Sequence, residues 1–319
     1  MNLQKKLLLI ASIFILVMII SLPVHCQTNL RLASASTTGV FFAQGTAIEA
    51  LFREKVPGIR VFNQATGGSG DNCNLLKNKE VEIALAHSTS AIDAYKGTKT
   101  FEGNRVDNMR VVSLLWRSVI QPCASKDSGI ESLADFRGKR VQIGPIGSGI
   151  ETYTLQTLSA YDISAEDLNY ERYSVAEAVE QLKNRQLDAW IQGSIVPDAP
   201  MIDVMTTGRF KLIGLEEDKV QKLVDMYGYF FPSEIPANSY SNQPDVINTV
   251  AQATLILVRE DISIEVVYEF TKALFENHDE LVQMHPAFKD LNLDLAVMGH
   301  GGIPMHPGAE KYYKEKGIL

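Results

Sequence analysis

Residues 76–88 read LKNKEVEIALAHS, and residues 182–194 repeat the same plan as LKNRQLDAWIQGS. Each stretch has the pattern of a helix end, a charged turn, a short apolar strand and a small polar loop. Upstream of each, a strand runs into a Gly/Ser/Thr loop that opens a helix, at residues 31–39 (RLASASTTG) and 140–149 (RVQIGPIGSG). This repeated strand–helix unit predicts two α/β lobes, each a mixed sheet flanked by helices. Open sheets bind ligands at the carboxyl ends of their strands, so we expect a ligand cleft between the lobes.

The composition is that of a globular protein with room for two modest domains. The chain has 319 residues, of which 45% are hydrophobic and 21% are charged, as in ordinary soluble proteins. The formal net charge is −8, and the chain has no run rich in Lys and Arg. These features argue against a nucleic-acid partner.

The amino terminus predicts export. Two lysines precede an apolar run at residues 7–22, which is shorter than the ~20 residues of a full membrane span and typical of a secretory signal peptide. Val24 and Cys26 suit cleavage before Gln27, so residues 1–26 are predicted to be removed and the mature protein to be periplasmic. A lipid-modified Cys26 and an uncleaved anchor are the alternatives.

Cleavage would leave Cys73 and Cys123 in the mature chain. Paired cysteines often form a disulfide in an oxidising compartment. Cys73 lies in a predicted helix and Cys123 in a predicted strand, so a disulfide and two buried thiols both remain open. His300 and His306 have no Cys or carboxylate neighbours at metal-ligand spacing, and we expect neither a metal nor a cofactor.

Apolar periodicity predicts the order of elements along the chain. Prolines at 232, 236 and 244 indicate a long irregular connection, and residues 264–284 are predicted to form one amphipathic helix. The predicted strands are residues 30–34, 59–64, 81–86, 110–115, 119–125, 140–144, 169–173 and 250–258. The first lobe is therefore expected to be discontinuous, with residues 27–124 plus 252–319, and the second lobe to contain residues 125–251.

Several motifs, in order along the whole mature chain, resemble those of TAXI-type solute receptors of TRAP transporters. They are residues 36–42 (STTGVFF), 64–69 (QATGGS), 127–130 (DSGI), 133–141 (LADFRGKRV), 144–149 (GPIGSG) and 306–313 (HPGAEKYY). The chain departs from the family at Ser34–Ala35 and at Ser118. The resemblance implies a monomeric, type II-like, two-lobed periplasmic binding protein. Such a protein delivers a small carboxylate, such as glutamate, glutamine or the dicarboxylate 2-oxoglutarate, to the subunits of a TRAP-type membrane permease.

The predicted ligand-binding residues lie in the loops that follow strands, where free N–H groups and the helix dipole favour an anion; plain helix capping is the alternative. They are Thr37, Thr38, Gly39, Thr66, Gly67, Gly68 and Ser69 in the first lobe, Gly147, Ser148, Gly149 and Thr152 in the second, and His87, Ser88, Trp116, Gln192 and Gly193 in or beside the strands. Arg117 ranks below them as a carboxylate partner.

Catalysis is not expected. The chain lacks the Gly-x-Ser-x-Gly elbow of a serine hydrolase, and no base is placed beside a nucleophile by the sequence. A receptor is therefore predicted. The alternatives are a secreted hydrolase that uses Ser69 or Ser148 with His87, and a receptor that serves a signalling partner.

Overall fold

The structure, a computed structural model, describes residues 27–319, so the predicted signal peptide lies outside the described residues. The strands are β1 Thr28–Ala33, β2 Ile59–Gln64, β3 Ile83–His87, β4 Met109–Ser125, β5 Arg140–Gln142, β6 Asn169–Glu171, β7 Ala189–Ser194, β8 Phe210–Leu212, β9 Phe230–Ile235 and β10 Ile247–Arg259. The α-helices are α1 Val40–Lys55, α2 Ser69–Lys77, α3 Ser88–Lys96, α4 Gly149–Ser159, α5 Val175–Lys183, α6 Ala199–Thr206, α7 Glu217–Tyr227, α8 Ile264–Glu276, α9 His278–Met284 and α10 Pro307–Glu315.

The echo in the sequence corresponds to a repeat in the topology. The first repeat, residues 28–96, runs β1–α1–β2–α2–β3–α3, and the second repeat, residues 140–206, runs β5–α4–β6–α5–β7–α6. The first contributes the sheet order β2-β1-β3-β10 and the second the order β6-β5-β7-β4. In each repeat three parallel strands are followed by one antiparallel strand. The α/β class with mixed sheets and flanking helices is confirmed.

Two long strands join the repeats into one sheet. Residues 109–119 of β4 pair with β10, and residues 119–124 pair with β7. The order across the whole sheet is β2-β1-β3-β10-β4-β7-β5-β6, with β8 on β4 and β9 on β10. The carboxyl ends of both sets of parallel strands therefore open towards the same central region.

Apolar side chains pack on both faces of this sheet in three clusters. Trp190 is fully buried, as expected for a core residue. Cys73 and Cys123 are free, buried thiols, and burial raises the pKa of each to about 12. Two buried thiols, rather than a disulfide, are thus the outcome at these positions.

Three local predictions are wrong. The expected single helix over residues 264–284 is two helices, because the backbone turns at Asn277 (φ −116°, ψ 27°). Part of the expected irregular connection is strand β9, which contains Pro232; β9 pairs with β10 alone, and such an edge tolerates a residue without an N–H. The polar loop expected after β3 is replaced by α3, which begins directly at Ser88.

Within residues 27–319, no helix is both long and apolar enough to cross a membrane.

Candidate functional site

A cavity of about 490 Å³ lies between the two repeats, at the carboxyl ends of their strands. All six helices of the repeats begin at its wall. The residues that cap the amino ends of α1 to α6 are Gly39, Gly68, His87, Ser148, Ser174 and Asp198, and every one of them lines the cavity. Six sets of first-turn N–H groups, each at the positive end of a helix dipole, therefore surround one space.

The three helices of the first repeat begin without a side-chain cap. Gly39, Gly68 and His87 make no capping hydrogen bond to α1, α2 or α3. Gly68 has a φ of +102°, a conformation that glycine adopts without strain. These amino ends leave backbone donors available to an anion.

A buried asparagine holds the loops of the first repeat in place. The Nδ2 of Asn72 donates to the carbonyl oxygens of Ser34 (2.6 Å), just after β1, and Leu85 (2.7 Å), within β3. The hydroxyl of Thr66 donates to Asn72 Oδ1 at 2.6 Å. Asn72 thereby fixes the loops after β1 and β2 relative to β3.

His87 lies in a group of aromatic rings. Its ring centroid is 5.0 Å from that of Phe41, 6.0 Å from that of Trp116 and 5.6 Å from that of Tyr153. Burial lowers the pKa of His87 to about 3, and its Nδ1 lies 3.1 Å from Thr254 Oγ1. The imidazole is thus neutral at physiological pH and forms part of a largely aromatic wall.

The second repeat contributes a capped helix and a tightly packed tyrosine. Ser148 Oγ accepts a hydrogen bond from Glu151 N at 3.2 Å, which leaves the hydroxyl hydrogen free to be donated. A Cβ on Gly193 would lie only 2.9 Å from Cε1 of the buried Tyr153. Glycine at 193 therefore allows β7 to approach the tyrosine ring.

A buried carboxyl group stands at the amino end of α6. Asp198 is 1% exposed and accepts hydrogen bonds from Ser194 Oγ (2.7 Å) and Gln192 Nε2 (3.2 Å). Burial raises the pKa of Asp198, and the hydrogen bonds from Ser194 and Gln192 oppose that shift. The hydroxyl of Tyr240 accepts from the Asp198 N–H at 2.9 Å.

Sixteen residues were predicted to bind ligand, and twelve of them line the cavity. The lining ones are Thr38, Gly39, Thr66, Gly67, Gly68, Ser69, His87, Trp116, Ser148, Gly149, Gln192 and Gly193. Thr37, Ser88, Gly147 and Thr152 are not among the lining residues. The structure places twelve of the sixteen residues on the cavity wall. That any of the sixteen binds a ligand stays a prediction.

The four residues outside the wall have other surroundings. Thr37 is exposed and Ser88 is buried. Gly147 N–H donates to Glu151 Oε2 at 2.7 Å, and the Thr152 hydroxyl donates to the Ser148 carbonyl oxygen and lies 3.4 Å from Ser90 Oγ.

Arg117 also lies outside the cavity wall. Its Nε and Nη2 donate to the carboxylate of Asp290 at 3.2 and 3.0 Å, and its side chain is 49% exposed.

Tyr153 and Asp198 are wall residues that the sequence did not predict. Tyr153 follows the apolar pattern of α4 and looks like an ordinary core residue. Asp198 looks like a helix cap, and no local signal indicates its burial. Its position at the amino end of the helix that follows β7, equivalent to that of His87 before α3, is the signal that could have pointed to it.

The wall has few titratable side chains. Within the described part of the chain, the cavity lining contains Asp198, His87 and His285 but neither Lys nor Arg. Across residues 27–319, no group of three or more His, Cys, Asp or Glu side chains is placed to hold a metal ion. The His87 backbone N–H, rather than its imidazole, donates to Ser69 Oγ at 3.0 Å.

Solved structures of other proteins have a similar fold. The chain resembles a structure from Bordetella bronchiseptica RB50, with a TM-score of 0.52, 14% identity and coverage of 92% of this chain and 81% of that one. The chain also resembles an ancestral arginine-binding protein bound to arginine, with a TM-score of 0.51 and 14% identity. This likeness covers 83% of this chain and 100% of that one. For the alkanesulfonate-binding protein SsuA from Xanthomonas axonopodis pv. citri bound to MOPS, the TM-score is 0.48 and the identity is 13%. The match covers 90% of this chain and 83% of that one.

The first two likenesses show the fold, which is the α/β fold of periplasmic binding proteins. Residues 32–317 match the NMT1-like family, and the chain belongs to that family.

Proposed function

We propose that the protein is an extracytoplasmic solute receptor that binds a small carboxylate and delivers it to a TRAP-type membrane permease. The ligands expected from the TAXI resemblance are glutamate, glutamine and dicarboxylates such as 2-oxoglutarate. The observation that carries the proposal is the convergence of six helix amino ends on one cavity. Such ends bind anions through backbone N–H groups without a buried counter-charge.

In this proposal the ligand carboxylate binds at the amino ends of α1, α2 and α3. These three ends have no side-chain cap, and Ser148 on the opposite side of the cavity can add a hydroxyl donor. The indole Nε1 of Trp116 supports this placement, because Trp116 lines the cavity and its N–H has no hydrogen-bond partner among residues 27–319. A buried donor without a partner favours a ligand that supplies an acceptor.

Ligand release needs the repeats to separate. We propose that they belong to two lobes, residues 27–124 plus 252–319 and residues 125–251, which move about the long strands β4 and β10. The described state has the repeats in contact, with Ser90 Oγ 3.4 Å from Thr152 Oγ1 and Gln156 Nε2 3.5 Å from Asp93 Oδ2. The permease would then recognise the closed, ligand-bound form.

Thermal unfolding with a carboxylate panel tests the receptor proposal. A ligand that prefers the native state raises the melting temperature by mass action. At millimolar concentration, at least one amino acid or dicarboxylate is expected to raise it. No shift with any panel member, or turnover of an ester or amide by the pure protein, would contradict the receptor.

A further inference from the structure

One part of the cavity wall offers hydrogen-bond acceptors, in contrast to the backbone N–H donors at the helix amino ends. Gln192 and Asp198 both line the cavity, and Gln192 Nε2 donates to Asp198 Oδ2 at 3.2 Å. That bond fixes the orientation of the amide and leaves Gln192 Oε1 as an acceptor. Within residues 27–319, this buried oxygen has no hydrogen-bond partner. An unpaired buried acceptor is costly, so a ligand N–H at this place would be favoured.

The carboxyl group of Asp198 points to the same kind of ligand group. The recorded side-chain donors to its carboxyl group, Ser194 and Gln192, are neutral, and among the described lining residues there is no Lys or Arg. A second carboxylate in the ligand would meet a desolvated carboxyl group and no cation. An ammonium group would instead pair with it, and such charge-assisted bonds are about twice as strong as neutral ones.

Another part of the wall is apolar. Phe41, Trp116 and Tyr153 surround His87, and Val175 and Ile195 extend this apolar lining. These side chains offer contact area to hydrocarbon or aromatic groups and no partner for a second charge.

We propose that Gln192 and Asp198 form an acceptor subsite for the ammonium group of the ligand. The ligand class is then a neutral amino acid with an apolar side chain, whose carboxylate occupies the helix amino ends. This inference rests on the proposed carboxylate receptor and narrows it, because it disfavours dicarboxylates.

Calorimetric titration with matched probes tests the subsite. Leucine and 4-methyl-2-oxopentanoate share carboxylate and side chain but differ in the ammonium group, as do glutamate and 2-oxoglutarate. Leucine is expected to bind about tenfold or more tightly than its oxo analogue, and 2-oxoglutarate to bind most weakly. In Asp198→Asn the preference for leucine should fall to a few-fold. Glu82→Gln, which changes a buried carboxyl group outside the cavity wall, should keep the wild-type preference.

The outcomes separate the two proposals. Tighter binding of 2-oxoglutarate than of leucine would overturn the acceptor subsite and leave the carboxylate receptor standing. An unchanged preference in a folded Asp198→Asn variant would also overturn the subsite. The wild-type comparison within each probe pair decides the matter even if that variant does not fold. Absence of binding by all four probes would contradict both proposals.

Discussion

A Cβ atom on Gly149 would lie 2.7 Å from Cδ2 of His87 and 2.8 Å from Ser69 Oγ. Gly149 begins α4 in the second repeat, whereas His87 and Ser69 belong to the first. A Cβ on Gly70 would likewise meet the carbonyl oxygen of Gly147 across the same boundary. The two repeats therefore touch through glycines, and the contact leaves no space for a larger residue.

Gly149→Ala is expected to weaken ligand binding. The added methyl must displace His87 or Ser69, and overpacking of this kind costs about 1–3 kcal/mol, so affinity should fall roughly tenfold. Helix propensity does not oppose the change, since Ala is the better helix former. Calorimetric titration measures the loss.

The matched control is Gly214→Ala. Its Cβ would have a closest neighbour at 3.4 Å, the Asn248 carbonyl oxygen, which is an ordinary contact. Equal affinity in both variants would show that the glycine contact between the repeats does not matter for binding.

Trp116→Phe is expected to lower affinity about threefold to tenfold, because it removes one donor worth ~0.5–1.5 kcal/mol and keeps an aromatic ring. Trp190→Phe is the control: its Nε1 is also buried and without a partner in the described chain, but Trp190 does not line the cavity. Both changes remove volume from a packed interior, so both should lower the melting temperature. A loss of affinity in Trp190→Phe as large as in Trp116→Phe would refute the assignment of the donor.

Arg117→Ala is expected to leave affinity within about twofold of wild type. Arg117 pairs with Asp290 outside the cavity wall, and an exposed ion pair contributes ~0–1 kcal/mol to stability. The same calorimetric titration checks this. A loss greater than that of Trp116→Phe would mean that a cation, rather than helix amino ends, holds the carboxylate.

The low pKa of His87 predicts that the stability of the folded protein falls in acid. Its folded-state pKa of about 3 lies below the ordinary value of about 6.5 for an unfolded chain, so the unfolded chain binds the extra proton between these values. The free energy of unfolding should therefore fall as the pH falls from 6.5 towards 3, at up to about 1.4 kcal/mol per pH unit. Denaturant unfolding of wild type and His87→Gln across pH 4–7 measures the difference, and parallel profiles would contradict it.

The sequence predicted the repeat because its signals are local. Apolar runs and Gly/Ser/Thr loops recur at equivalent places, and equivalent loops come together once parallel strands form a sheet. The positions of Asp198 and Tyr153 on the cavity wall were not predicted, because they depend on which distant segments pack there. The sequence pattern of α6 or α4 alone does not contain that information. The break between α8 and α9 at Asn277 was not predicted either, because an amphipathic pattern continues across it.

The central claim is that the space between the two repeats holds a small carboxylate at helix amino ends. A crystal structure of the protein with the panel member that most raises its melting temperature tests this directly. The account predicts that the ligand carboxylate accepts hydrogen bonds from backbone N–H groups at the amino ends of α1, α2 or α3. A ligand bound outside the cavity, or one whose carboxylate contacts Asp198 instead, would contradict it.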